Sequence, residues 1–249
     1  MALDGRLPSL TLTDVHVWRA QAAEQPADAR TWALLGPDEV ARAGRFRRPG
    51  DRERFVVARA LVRMVLASYL ETAAHRLRFD TGRWGKPFVV IPHDAPPLHY
   101  NLSHTQDAIV LAVARRTVGV DVERWSNDIA YDEVAAIVFS PAERRELARA
   151  RGAAKQRAFF TGWTRKEAYI KATGRGLSSG LDYFDVSLDP ASRAPLLGDR
   201  LAPHSPQRWT MRDLAVEPGY SASLVVAGAG AEKHVREMRV PPGAIAWMR

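Results

Sequence analysis

The sequence predicts an α+β fold, because segments typical of strands and of helices occur in separate runs. Three observations indicate this class. Apolar and polar residues alternate over residues 10–20, an apolar stripe recurs at helical spacing over 52–72, and residues 108–114 form an uninterrupted apolar segment. The order strand, helix, strands, helices, strands also indicates two similar halves, which we place at 1–117 and 118–249.

Capping residues and glycines set the limits of the predicted helices. Asp51 precedes the helix at 52–72 and is a suitable N-cap. Ser140 and Glu143 have the spacing of a capping box that opens a helix, with proline at its first position. Gly174 is expected to end the last helix. The other predicted helices lie at 37–48, 129–138 and 154–172.

Glycine, proline and aspartate separate the predicted strands. Residues 88–91 form a short strand within the loop at 80–98. Only Arg115, Arg116 and Thr117 separate residues 108–114 from residues 118–123, so these two segments are predicted to pair as a β-hairpin. The remaining predicted strands lie at 183–188, 209–213 and 221–226.

The composition excludes several classes of protein. A chain of 249 residues, 46% of them hydrophobic, can form one large domain or two ordinary ones. The lack of cysteine excludes disulfides, thiolate metal sites and cysteine nucleophiles. No apolar run approaches the roughly 18 residues of a membrane helix, and the N-terminus does not have the pattern of a signal peptide. We therefore expect a soluble, cytoplasmic monomer that does not bind membranes.

The charge is strongly basic and comes mainly from arginine. The net charge is +8, and 31 of the 36 basic residues are arginine. Such a protein attracts anions, which include nucleic acids, acidic proteins and phosphorylated small molecules. Nucleic-acid binding is one hypothesis, but the arginines are dispersed and no motif that combines aromatic and basic residues supports it.

Two acidic residues in the strand at 118–123 are candidates for metal binding. Asp121 and Glu123 are two positions apart, so both side chains lie on the same face of the strand. A hard divalent cation such as Mg²⁺ would relieve their mutual repulsion. A purely structural role is also possible, with Asp121 in solvent and Glu123 paired with Arg124 or Arg116. The spacing alone does not decide between them.

A further acidic residue lies on the helix at 154–172. Glu167 and Lys171 are four residues apart and share a helix face with Trp163, whereas Lys166 points away from that face. Such Glu–Lys pairs are usually solvated, but aromatic neighbours indicate that this helix is packed. A carboxylate and an ammonium beside a metal-binding acid suit phosphoryl transfer. No P-loop, dinucleotide fingerprint or zinc spacing is present in the sequence.

Four motifs together resemble the 4′-phosphopantetheinyl transferase superfamily, in its Sfp-type branch. The motifs are WGKP (84–87), NLSH (101–104), GVDVE (119–123) and WTRKEAYIKATGRGL (163–177). The resemblance spans roughly residues 36–188 and implies a pseudo-dimer of two similar α/β halves. It also implies that coenzyme A binds in the cleft between the halves. Each motif alone is weak, but four in this order are specific.

The resemblance implies an activity and a set of partners. Members transfer the 4′-phosphopantetheine arm of coenzyme A to a serine of an apo acyl or peptidyl carrier protein and release 3′,5′-ADP. The cofactor is Mg²⁺, with Mn²⁺ as a possible substitute. Such carriers serve polyketide, nonribosomal-peptide or fatty-acid synthesis, and their acidic character suits a basic enzyme.

The same resemblance assigns roles to individual residues. The metal ligands would be Asp121, Glu123 and Glu167, and Glu167 would also act as a general base. Lys171 would contact the pyrophosphate and assist the leaving group. The remaining residues that match coenzyme A contacts are Lys86, Ser103 and His104.

The basic segment before the long helix departs from the family pattern. The family places cations in this segment to hold the 3′-phosphate of coenzyme A, but one expected lysine position falls on Glu39. Arg42 and Arg54 are therefore the phosphate candidates, with Arg48 in reserve. Each of these could equally be a solvated arginine.

Two further hypotheses use the same residues. A Mg²⁺-dependent phosphohydrolase could employ the same three acids without a carrier protein. The second hypothesis is a catalytically silent relative of this family. It is opposed by the presence of the four candidate residues Asp121, Glu123, Glu167 and Lys171.

Overall fold

The computed structural model describes residues 7–176 and 180–246. Two parts of the sequence predictions lie outside these residues. They are the first six residues, on which the expectation of no signal peptide rests, and Leu177, the last residue of the fourth motif.

Strands and helices alternate in groups along the chain. The strands are β1 (Val15–Gln21), β2 (Phe79–Thr81), β3 (Pro87–Val89), β4 (His99–Thr105), β5 (Ala108–Ala114), β6 (Val118–Arg124), β7 (Phe184–Val186), β8 (Leu196–Asp199), β9 (Trp209–Asp213), β10 (Tyr220–Ala227) and β11 (Val235–Arg239). The helices are α1 (Ala29–Ala33), α2 (Pro37–Ala43), α3 (Pro49–Tyr69), α4 (Tyr131–Val138), α5 (Pro141–Arg149), α6 (Gly152–Thr173) and α7 (Ser205–Arg208).

The two halves of the chain have the same topology. In the first half, β1 is followed by the long helix α3 and then by β4 and β5, which form an antiparallel sheet in the order β1-β5-β4. In the second half, β6 is followed by the long helix α6 and then by β9 and β10, in the order β6-β10-β9. In both halves the last strand lies in the middle. The predicted α+β fold of two similar halves is confirmed.

The two sheets pack on each other through small apolar side chains. Val17 and Val110 of the first sheet belong to the same buried cluster as Val120 and Leu224 of the second. The opposite faces of the sheets carry the long helices, so that α3 packs on Trp18 and Leu111. The order of layers is therefore helix, sheet, sheet, helix.

The predicted hairpin of β5 and β6 is wrong. Strand β5 pairs with β1 on one edge and β4 on the other, while β6 pairs with β10. Both edges of β5 are thus occupied, and the turn at 115–117 carries the chain from one sheet to the other. The free edge of β6 is instead bonded by side chains of β4. The amide of Val120 donates to Asn101 Oδ1 at 2.8 Å, and that of Val122 donates to Ser103 Oγ at 3.3 Å.

Other differences lie at the ends of elements. Helix α3 begins at Pro49 rather than after Asp51, because proline suits the first helical position. Helix α2 ends at Ala43, shorter than predicted. The capping box of Ser140 and Glu143 is present. Helix α6 ends as predicted at Gly174, whose φ is +67°.

Strand β11 was not predicted, and it crosses the predicted boundary between the halves. It pairs in parallel with β1, with Val15 opposite Val235 and Arg19 opposite Arg239. A segment from the second half of the sequence thus completes the sheet of the first half.

Candidate active site

Helix α6 lies directly on the face of β6 that carries the two predicted acids. Side chains at 119, 121 and 123 alternate with the buried valines of the sheet interface, so they face the helix. A Cβ at Gly119 would overlap the carbonyl oxygen of Ala168 and the amide nitrogen of Ala172. Glycine at this position therefore permits the close approach that brings α6 over Asp121.

Asp121 is the buried centre of the site. Its side chain is 3% exposed, and its Oδ1 accepts a hydrogen bond from Lys171 Nζ at 2.5 Å and one from Ser103 Oγ at 2.8 Å. Lys171 Nζ also donates to Ser103 Oγ at 3.2 Å. The other carboxylate oxygen, Oδ2, is buried and has no hydrogen-bond partner. Residues of β4, β6 and α6 thus meet at one carboxylate.

The two other acids lie within electrostatic reach of Asp121. Burial, and then the charge of Asp121, raise the pKa of Glu123 to about 7. The same two causes raise the pKa of Glu167, while the Lys171 ammonium opposes the shift. Both carboxyl groups therefore hold a proton more readily than solvated glutamate does, as expected where negative charges crowd together.

The donor set suits a hard divalent cation, although the ligands are not yet arranged around one. Within residues 7–176 and 180–246, no group of three His, Asp or Glu side chains is positioned to hold a metal ion. Lys171 occupies Asp121 Oδ1 as a counter-charge. The unpartnered Oδ2 of Asp121 and the raised pKa values of Glu123 and Glu167 nevertheless fit an added cation, because it would satisfy all three carboxylates.

A cationic surface lies next to these acids, around His104 at the end of β4. Desolvation by the surrounding protein, followed by the charges of Lys171, Arg54 and Arg42, lowers the pKa of His104. The predicted phosphate contacts Arg42 and Arg54 are thus brought close to His104 and Lys171. Arg42 stacks on Phe55 with its Cζ 5.1 Å from the ring centre, and Arg54 pairs with Asp51.

Lys86 lies at the junction of the two halves and not in open solvent. Its ammonium donates to the carbonyl oxygens of Val118 at 2.8 Å and Ala172 at 3.2 Å. Burial lowers the pKa of Lys86 to about 8. The residue predicted to contact coenzyme A therefore also attaches the WGKP loop to β6 and α6.

A cavity of about 450 Å³ opens beside Lys86, Glu167 and Lys171. The two halves both contribute to its wall, which also includes Trp84, Tyr100, Asn101, Leu102, Ile170, Gly174 and Gly176. A mainly apolar cavity that contains a carboxylate and an ammonium can bind an organic molecule and orient its charged part.

Two residues that the sequence reasoning missed, Asn101 and Arg59, also shape the site. Asn101 bonds the edge of β6 through its side-chain oxygen. Lys166, which the sequence analysis left out of the site, is buried and pairs with Glu143 at 2.9 Å. Arg59 lies in the cavity wall and pairs with Glu39, the residue that departs from the family pattern. Opposite charges in Arg59 and Glu39 are the signal that could have linked them.

Fold and site together define an enzyme of two similar halves, with a cluster of acids and a lysine at their junction. The sequence matches the family described as 4′-phosphopantetheinyl transferase superfamily over residues 117–226. It also matches 4′-phosphopantetheinyl transferase, N-terminal, over residues 18–116.

Individual relatives agree over most of the chain. The 4′-phosphopantetheinyl transferase HetI of Nostoc sp. is 34% identical over 90% of this chain and 92% of its own. The transferase psf-1 of Bacillus pumilus is 32% identical, over 80% and 81%, and Sfp of Bacillus subtilis is 29% identical, over 85% and 90%. The protein belongs to the 4′-phosphopantetheinyl transferase superfamily, in its Sfp-type branch, and is an enzyme of that class.

Across the described residues, no helix combines the length and apolar character needed to cross a membrane.

Proposed function

We propose that the protein transfers the 4′-phosphopantetheine arm of coenzyme A to a serine of an apo acyl or peptidyl carrier protein and releases 3′,5′-ADP. The main support for this proposal is the environment of Asp121. One of its oxygens is bonded to Lys171 and Ser103, and the other is buried without a partner. A cation-binding carboxylate at the junction of two halves suits a reaction on a diphosphate.

The residues of this site would hold Mg²⁺, or Mn²⁺ in its place, through Asp121, Glu123 and Glu167. A bound divalent cation would neutralise the charge that develops on the pyrophosphate. Lys171 would donate to the same phosphates. Arg42 and Arg54 contribute to the neighbouring cationic surface and, together with His104, would hold the remaining phosphates of coenzyme A.

The reaction transfers one proton and exchanges one bond at phosphorus. The serine oxygen forms a bond to the β-phosphorus while the bond from that phosphorus to the bridging oxygen breaks. Glu167 would accept the serine proton as the general base. Lys171 stabilises the charge on the departing 3′,5′-ADP. We expect the enzyme to act as a cytoplasmic monomer.

The decisive experiment measures the mass of a carrier protein after incubation with coenzyme A, Mg²⁺ and the enzyme. We expect the carrier to gain one phosphopantetheine group and 3′,5′-ADP to appear in equal amount. Asp121→Asn should slow transfer by about 100-fold or more, whereas Asp132→Asn, an exposed acid on α4, should not.

Any of three results would overturn the proposal. The first is unimpaired transfer by Asp121→Asn, and the second is absence of mass gain with acyl and peptidyl carriers alike. The third is release of 3′,5′-ADP from coenzyme A at the same rate without a carrier, which would identify a phosphohydrolase. Omission of the divalent cation tests the metal separately.

A further inference from the structure

A buried carboxylate far from the acid cluster binds two segments that shape the cavity. The side chain of Asp199, at the end of β8, is fully buried. Its Oδ2 accepts a hydrogen bond from Tyr169 Oη at 2.6 Å and one from Ser205 Oγ at 3.3 Å. Its Oδ1 accepts from the amides of Leu201 at 2.8 Å and Ala202 at 2.9 Å. These bonds hold the carboxylate in one orientation.

Arg175 links this carboxylate to the cavity wall. Its Nη1 lies 3.6 Å from Asp199 Oδ2, and its guanidinium lies 5.8 Å from the ring centre of Tyr183. The side chain of Arg175 therefore points into the second half. Its two neighbours in sequence, Gly174 and Gly176, line the cavity. Gly174 and Gly176 both have a φ of +67°, a backbone conformation that favours glycine.

The two glycines face the first half of the molecule. A Cβ at Gly174 would lie 3.7 Å from Lys86 Cδ, and one at Gly176 would lie 3.9 Å from Trp84 Cβ. The turn thus closes the cavity against the WGKP loop. The position of this turn relative to the WGKP loop depends on the contacts of the Arg175 side chain with Asp199 and Tyr183.

Tyr169 gives Asp199 a second connection to the site. It is fully buried on α6, between Glu167 and Lys171 in sequence but on the opposite side of the helix. Its hydrogen bond to Asp199 therefore joins α6 to the end of β8. One carboxylate thus contacts both α6 and Arg175 of the turn in the cavity wall.

We propose that Asp199 is a positioning residue for coenzyme A, acting through Arg175 on the Gly174–Gly176 turn and through Tyr169 on α6. The inference rests on the proposed function, since it takes coenzyme A as the molecule in the cavity. Asp199 is fully buried and does not line the cavity. Its loss should therefore weaken coenzyme A binding more than it slows the reaction of the bound complex.

The test compares Asp199→Asn, Arg175→Gln and Arg175→Lys with the wild type. Asparagine removes the charge of Asp199 with little change of shape, glutamine removes the charge of Arg175 and shortens the side chain, and lysine retains that charge. We expect Asp199→Asn and Arg175→Gln to raise the Kd for coenzyme A, measured by calorimetry, and its KM by about tenfold. The kcat and the KM for the carrier should stay within about twofold. Arg175→Lys should recover part of the affinity.

Arg200→Ala is the matched control. Arg200 pairs with Asp185 at 2.6 Å on the same pair of short strands, but it is half-exposed and does not line the cavity. We expect it to leave the Kd and KM for coenzyme A unchanged. Melting temperatures of all variants are measured in parallel, so that loss of folded protein is separated from loss of affinity.

The outcomes separate this inference from the proposed function. If the wild type modifies carriers and the Asp199 and Arg175 variants keep the wild-type Kd and KM, the positioning role is wrong and the function stands. A fall in kcat with unchanged KM and a lower melting temperature would also overturn it, as a merely structural role. Failure of the wild type to bind coenzyme A would overturn both.

Discussion

The two halves share one topology but fill the space between sheet and long helix differently. In the first half, the side chains of β1 that face α3 include Trp18, which is fully buried in an apolar cluster. In the second half, the equivalent strand β6 presents Gly119, Asp121 and Glu123 to α6. The same arrangement of strand and long helix therefore encloses an apolar core in the first half and the candidate site in the second half.

The difference also extends to the buried charges. Beneath α6, Thr164 Oγ1 lies 3.0 Å from Ser223 Oγ, and Ser223 Oγ donates to Asp213 Oδ1 at 2.9 Å. Lys166 and Glu143 form a buried ion pair close by. Beneath α6, polar contacts thus supplement an apolar cluster that includes Phe159 and Phe160, whereas the cluster around Trp18 in the first half is apolar. Substitutions in the two halves should consequently fail in different ways.

The largest effect on stability should come from the core of the first half. Trp18→Ala removes a fully buried side chain and should lower the free energy of unfolding by about 3–5 kcal/mol. The kcat of the protein that remains folded should stay near the wild-type value, because Trp18 is not part of the site. Denaturant unfolding and active-site-normalised kinetics check the two parts. A large fall in kcat would show that the core of the first half also affects the activity of the site.

A comparable loss should follow from breaking the buried pair of the second half. Lys166→Met leaves Glu143 buried without its counter-charge and should cost about 3–5 kcal/mol. Burial already raises the pKa of Glu143, so the unpaired carboxyl should take up a proton. The double variant Lys166→Met/Glu143→Gln should recover part of the lost stability.

Lys155→Met is the matched control for that variant. Lys155 pairs with the well exposed Asp132, so its loss should change stability by less than about 1 kcal/mol. Equal effects of the two lysine substitutions in chemical denaturation would show that burial does not set the strength of these pairs.

A smaller loss of stability with a clear loss of activity is expected for Gly119→Ala. The added Cβ would overlap backbone atoms of α6 and push the helix away from β6, at a cost of about 1–3 kcal/mol. Because Glu167 and Lys171 move with the helix, carrier modification should fall more than stability predicts. Transfer rates measured well below the melting temperature test this, and Gly198→Ala, where a Cβ meets open space, is the control.

Burial of Lys86 should also make stability depend on pH. Burial lowers the pKa of Lys86 from 10.5 to about 8, so between these values the unfolded chain binds more protons than the folded one. Stability from this group should therefore rise as the pH increases through that interval. Lys86→Met should remove this increase when free energies of unfolding are compared at about pH 7 and about pH 10. An unchanged pH slope would show that Lys86 is not buried in solution.

Local patterns predicted most of the elements because their causes lie close together in sequence. The capping box at Ser140, the glycine after α6 and the apolar stripe of α3 each depend on neighbouring residues. The acids and Lys171 were also identified, since their spacings reflect a strand face and a helix face. The roles that the resemblance assigns to them remain predictions, which the Asp121→Asn transfer assay and the omission of the cation test.

Strand pairing could not be predicted in the same way. A short turn joins β5 and β6 and is typical of a hairpin, yet competition from β1 and β4 for the edges of β5 decides the outcome. The burial of Lys166 was missed for a similar reason. Its partner Glu143 lies on another helix, and helical spacing describes only one helix at a time.

The parallel pairing of β11 with β1 sets an order for folding during synthesis. Residues 235–239 emerge from the ribosome after most of the second half, yet they form an outer strand of the sheet that β1 begins. Until then, one edge of β1 has no neighbour, and such edges invite pairing with other chains. The nascent first half must therefore wait, partly unpaired, for a segment made more than a hundred residues later.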